Sequence, residues 1–179
     1  FDGSCRMSQY ALSHKMVLKR LGLSHIPIIA PLTSSRRDEL TRLFGLDFSM
    51  SIWKGLMAID VLLKKLIHIR PYEINKGEAE RVYETAVEQL ASAIVKGNFS
   101  EALTSAIGAL DRVPIREERR PVIGICGEFY TCMNPWANNE IIKEFESQGA
   151  EVRLGPATTD YMAYYVQAIE INHKHRIRI

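Results

Sequence analysis

The chain has 179 residues, enough for one generous domain or two small ones, and 46% of them are hydrophobic, an ordinary share for a globular protein with a core. Lys and Arg number 23 against 21 Asp and Glu, a formal charge of +2, which leaves no strong field to gather nucleic acid or an anionic membrane surface. The longest apolar runs are broken by lysine, as in "VLLKKLIHI" (Val61 to Ile69), which argues against a transmembrane helix. Cys5, Cys126 and Cys132 show no CxxC spacing, which argues for a reducing, cytoplasmic location over a disulfide framework.

The opening "FDGSCRMSQYALSHK" lacks the order of a signal peptide, and the expectation is of a piece cut from a longer protein. From Met7 to Leu21 the residues Tyr10, Ala11, Val17, Leu18 and Leu21 fall mainly on one helical stripe, and Gly22 stands where a left-handed C-terminal residue is wanted. "HIPIIAP" (His25 to Pro31) reads as a short buried strand, and Ser34 or Ser35 caps a short helix between Pro31 and Gly45.

Three helices follow. Met50 to Glu73 places Ile52, Leu56, Ile59, Leu62, Leu63 and Leu66 at three- and four-residue intervals, and Pro71 ends it. Gly77 to Asn98 repeats the pattern with Ala79, Val82, Ala86, Leu90, Ala93 and Ile94, closed by Gly97. Ser100 to Val113 adds Leu103, Ile107 and Leu110.

The charged, proline-bracketed "PIREERRP" (Pro114 to Pro121) predicts a boundary between a helix-rich α/β part, 1–119, and a βαβ part, 120–179. "VIGICGE" (Val122 to Glu128) reads as a near-continuous apolar strand of the kind that parallel sheets cover on both faces. "NNEIIKEFESQG" reads as a helix and "AEVRLGP" (Ala150 to Pro156) as the next strand, completing a βαβ unit. Thr158 to Ile179 is read as a further helix.

In open parallel sheets, ligands bind beyond the carboxyl ends of the strands. "GEFYTCMNPWANN" lies there, and it is longer and more polar than a plain connection needs. Asn138 is a natural N-cap for the following helix. Glu128, a carboxylate at a strand end, is costly unless paired, hydrated or used on a ligand. Asn134 before Pro135 shapes a turn, or with Asn139 offers amide hydrogen bonds to a thioester. Phe129, Tyr130 and Trp136 read as packing residues ahead of ligand platforms.

Cys126 is expected inside the strand as a small buried hydrophobe, and Cys132 is expected nearer the surface. Cys5 lies in a Gly/Ser turn before a helix and beside Arg6, a setting that favours thiolate; a metal ligand, a reactive thiol and a cysteine without a role all fit. No GxGxxG follows the strand and no GxxxxGK[ST] occurs, so the chain has no phosphate cradle of known pattern.

Three stretches resemble the signatures of one family. "DGSCRMSQY" resembles G-x-C-R-x-x-Q-Y, "RPYEINKGEAERVY" resembles R-P-Y-E-x-x-x-G, and "PVIGICGEFYTCMNPWANNEIIKEFESQGAEV" resembles an I-G-I-x-G-E-x-Y-x-x-x-N-P-x-A-N-N block. The family is the 2-hydroxyacyl-CoA dehydratase and benzoyl-CoA reductase group, in particular its members described as 2-hydroxyglutaryl-CoA dehydratase activator-related proteins. The resemblance implies an α/β domain with a Rossmann- or flavodoxin-like parallel sheet and oxygen-sensitive 4Fe–4S chemistry. It implies work beside an ATP-dependent activase or a dehydratase subunit, possible assembly into an oligomer, and a lyase reaction of anaerobic metabolism, in which an acyl-CoA thioester takes up one electron and expels hydroxide from a ketyl radical.

Carried over by position, Cys5 becomes a cluster ligand whose companions lie outside this chain, and Glu128, Tyr130, Asn134, Asn138 and Asn139 become ligand-facing positions. Cys126 and Cys132 stand where relatives commonly carry other residues, so no metal binding is carried onto them. Ser4 and the pair Met7 and Ser8 depart from the proline and Phe-Gly frequent in the signature. Two roles are implied: a component of an iron–sulfur dehydratase or its activator, or a non-catalytic accessory module that binds the activase or dehydratase.

Overall fold

The computed structural model describes residues 7–28, 41, 43–155, 159, 160, 163, 164 and 167. It divides into two compact units, Phe1–Trp53 and Lys54–Ile179, so the division expected near residue 119 falls inside the second. Helices dominate, and the strands among the described residues form a two-stranded parallel sheet. No helix of the described residues is long and apolar enough to cross a membrane.

In the first unit, α1 (Met7–Arg20) ends as its sequence predicts. Gly22 adopts φ 73°, Leu23 N donates to Leu18 O at 2.8 Å and Gly22 N to Lys19 O at 3.2 Å, the paired bonds of a Schellman end. The expected strand at His25–Pro31 is turn and coil over its described part, His25–Ile28; the short helix expected from Pro31 lies mostly outside the described residues.

Helix α2 (Leu46–Ile69) starts four residues before the expected Met50 and runs straight into a 3-10 turn, Arg70–Tyr72, whose Pro71 stops the α-helical ladder. In the second unit it buries Ala58, Asp60, Leu62, Leu66, Ile67 and Ile69, while Leu56 and Ile59 are exposed. Of the stripe that the isoleucine and leucine spacing suggests, Leu62 and Leu66 are buried and Leu63 packs against the core, while Ala58 rather than Leu56 or Ile59 carries the burial toward the helix start. Helices α3 (Glu78–Lys96) and α4 (Phe99–Asp111) complete the core with Ala79, Ala86, Leu90, Ala106 and Leu110, and Val113 closes it. Gly97 ends α3 at φ 81° with its N–H on Ala93 O.

The charged segment after α4 is stitched to the turn rather than left loose. Ile74 N donates to Pro114 O and Arg116 N to Tyr72 O, each at 2.9 Å, with an antiparallel bridge between Glu73 and Ile115. The sheet follows: β1 (Val122–Ile125) and β2 (Glu151–Leu154) pair in parallel, Val122 opposite Glu151 and Ile125 opposite Leu154. Both strands are shorter than expected, and β1 is not a covered apolar strand, since Val122 and Gly124 are exposed. The crossover holds two short helices, α5 (Phe129–Met133) and α6 (Ile141–Ser147), where one helix from Asn139 was expected. Of the segment expected as a helix from Thr158, the described residues 159, 160, 163, 164 and 167 are helical.

Candidate functional site

The segment beyond the carboxyl end of β1 is built by its own polar side chains. Glu128 is the N-cap of α5: its carboxylate accepts from Thr131 N at 2.9 Å and from Thr131 Oγ1 at 3.0 Å, satisfying a donor that the first helical turn leaves open. Asn134 makes an Asx turn, its Oδ1 accepting from Trp136 N at 3.0 Å and Ala137 N at 3.2 Å. Asn138 reaches back, its Nδ2 donating to Thr131 O at 3.0 Å and Cys132 O at 3.1 Å, which ties the loop to the end of α5.

Asn138 is thus not the cap of the next helix. Asn139 and Glu140 both turn through the left-handed region, at φ 54° and 55°, and Glu140 occupies the N-cap position of α6 without a side-chain cap bond. Two consecutive non-glycine residues there are strained, and Glu140 N donating to Pro135 O at 2.8 Å helps hold them. Asn138 Oδ1 is buried and has no hydrogen-bond partner among the described residues.

The aromatic and thiol expectations divide. Tyr130 is 47% exposed and Trp136 is 84% exposed, so Trp136 does not pack. The cysteines are exchanged: Cys126 lies just past the end of β1 and is exposed, while Cys132 is buried. The strand stops at Ile125, which frees Cys126, and α5 turns Cys132 inward toward Gly127, where an added Cβ would stand 3.4 Å from Sγ. Burial, and then the neighbouring Cys126 and Glu128, push the Cys132 thiol up, away from the thiolate that binds metal. Cys5 lies outside the described residues.

A second polar cluster escaped the reading of the sequence. Glu151, the first residue of β2, is buried; Tyr72 O–H donates to its Oε2 at 2.6 Å, Arg153 Nε stands 2.6 Å from its Oε1, and His68 Nδ1 is 3.0 Å from the same oxygen. Burial alone pushes the Glu151 carboxyl up, yet the bonds from Tyr72 and His68 and the charge of Arg153 hold it below its ordinary value. The same bond to Glu151 pushes the Tyr72 phenol up. The Arg120 guanidinium lies 5.5 Å from the centre of the Tyr72 ring, a cation–π contact.

One turn away, Arg70 grips Glu146 of α6 through both fork positions, Nε to Oε2 at 2.7 Å and Nη2 to Oε1 at 3.1 Å. Glu80 of α3 lies 3.7 Å from Arg70 and 3.4 Å from Lys143. Glu73 turns the other way, accepting from Gly77 N at 2.7 Å and Ala79 N at 2.9 Å to cap α3. The signal was in the text: Arg70, Pro71, Tyr72 and Glu73 are the R-P-Y-E quoted above, and each has a distinct job.

These side chains bind through hydrogen bonds and ion pairs and fix the geometry of the turn and the loop. Among the described residues no group of three or more His, Cys, Asp or Glu side chains is placed to hold a metal ion. No protein-family model matches the chain, and no curated protein or solved structure is similar enough to it to count as a match.

Proposed function

We propose that this chain is a domain of a protein related to the iron–sulfur 2-hydroxyacyl-CoA dehydratases and their activator-related proteins. Its βαβ part would belong to a Rossmann- or flavodoxin-like sheet, with the loop after β1 facing an acyl-CoA thioester. The observation that carries the reading is the meeting of two signature segments. R-P-Y-E at Arg70–Glu73 docks on the third block through Arg70 with Glu146 and Tyr72 with Glu151, so residues remote in sequence form one fixed assembly.

A 4Fe–4S cluster takes three or four thiolates as a rule. The described residues bring one exposed thiol, Cys126, and one buried thiol, Cys132, whose burial disfavours the thiolate, so the cluster does not fit on them. In the proposed protein this chain contributes one ligand, Cys5, to a cluster completed elsewhere, beside an ATP-dependent activase or dehydratase subunit. No chemical step is assigned to the described residues. The inward use of Glu128, Asn134 and Asn138 favours a second reading, an accessory module that holds shape and binds a partner without chemistry of its own.

Full-length protein containing this chain, purified without oxygen, tests both. Iron and labile sulfide near four each, with an EPR signal after reduction that is lost in Cys5→Ala, is the expected result for the cluster-bearing reading. Folded protein without iron would refute it in favour of the accessory module.

A further inference from the structure

Trp136 is among the most exposed large side chains of the described residues, and its exposure does not come from a slack backbone. Pro135 precedes it, Asn134 Oδ1 holds its N–H and that of Ala137, and Asn138 N donates to Asn134 O at 3.1 Å. The Asn138 amide then moors the loop to α5. The chain thus forgoes burial of its largest kind of apolar side chain while fixing the backbone that presents it. An anchor already ordered costs little entropy on binding.

Trp136 lies in the crossover that leaves the carboxyl end of β1, the side on which ligands of open α/β sheets bind, one short helix beyond the strand. The same turn carries polar residues at the surface, Asn139 and Glu140, three and four positions on. A flat indole open on a polar rim suits a flat ligand with polar edges better than an aliphatic one. We infer that Trp136 is the stacking platform for the purine base of the CoA thioester, an inference that rests on the acyl-CoA reading above.

The probes are free CoA and pantetheine, which lacks the purine nucleotide, titrated calorimetrically into the full-length protein and its Trp136→Ala and Trp136→Phe variants. The expected result is CoA binding weakened roughly tenfold or more by Trp136→Ala, the loss of one base–aromatic stack, and largely restored by Trp136→Phe, with pantetheine binding unchanged throughout. Equal CoA binding by wild type and Trp136→Ala overturns the inference and leaves the acyl-CoA reading standing, and an equal loss of pantetheine binding overturns the purine assignment. Wild type that binds neither probe overturns both.

Discussion

Replacing Arg70 by alanine strands a carboxylate. The Arg70 and Glu146 side chains are only 13% and 8% exposed, and their two-pronged contact fastens the turn after α2 to α6. Removing one partner of a buried pair costs about 3–5 kcal/mol, and the residual exposure of Arg70 sets the expected loss near the lower limit, about 3 kcal/mol. Most of that is the charge left on Glu146 beside Glu80, so Glu146→Gln added to Arg70→Ala should recover about 1–2 kcal/mol.

The pH dependence follows from the same carboxylate. Burial already raises Glu146 above its ordinary value of 4.5 against the opposing pull of Arg70, and losing Arg70 raises it further. A carboxyl raised in the folded state binds its proton more tightly when folded, so its penalty is absent below 4.5 and grows as pH rises through the folded value. The cost of Arg70→Ala should therefore be largest near neutrality and shrink under acid conditions. Urea unfolding of the single and double variants at several pH values measures this. An Arg70→Ala cost that is the same at every pH, or that Glu146→Gln fails to relieve, would refute the stranded-charge argument.

Glu151 has the opposite sign. Its folded value is depressed, so its contribution is present above 4.5 and lost as pH falls through that depressed value. Tyr72→Phe removes one hydrogen bond to this carboxylate and should lower stability by about 1.5–3 kcal/mol and move the acid unfolding limb to higher pH, read by circular dichroism; an unmoved limb would show that the phenol does not hold the carboxylate. Alkylation read by peptide mass spectrometry should label Cys126 in the folded protein and Cys132 only after unfolding. Labelling of Cys132 at native conditions would contradict its burial.

How much of this was legible depends on whether a feature is local. The end of α1 at Gly22 and of α3 at Gly97 was readable because a left-handed residue after an apolar stripe is decided by the residues beside it. The βαβ order was readable for the same reason. The face of α2 was readable in part: Leu62, Leu63 and Leu66 meet the core as their spacing suggests, but Ala58 rather than Ile59 is buried, a choice made by α3 and α4 packing against it. The exchange of Cys126 and Cys132 turned on one boundary: β1 stops at Ile125, and a strand shorter by a few residues reverses which thiol meets water.

The loop after β1 shows the limit most clearly. Its length and polarity marked it as more than a connector, and the acceptors Glu128 and Asn134 were rightly singled out as residues with work to do. Glu128 nevertheless accepts from Thr131 and Asn134 from Trp136 and Ala137, bonds within the loop itself that cap α5 and close a turn. A sequence shows that a carboxylate or an amide must be satisfied, but not whether the partner is a ligand or the backbone three residues on. The tryptophan that composition alone would have buried is turned outward at 84% exposure, so the side chain to test for binding is the one those polar residues hold in place.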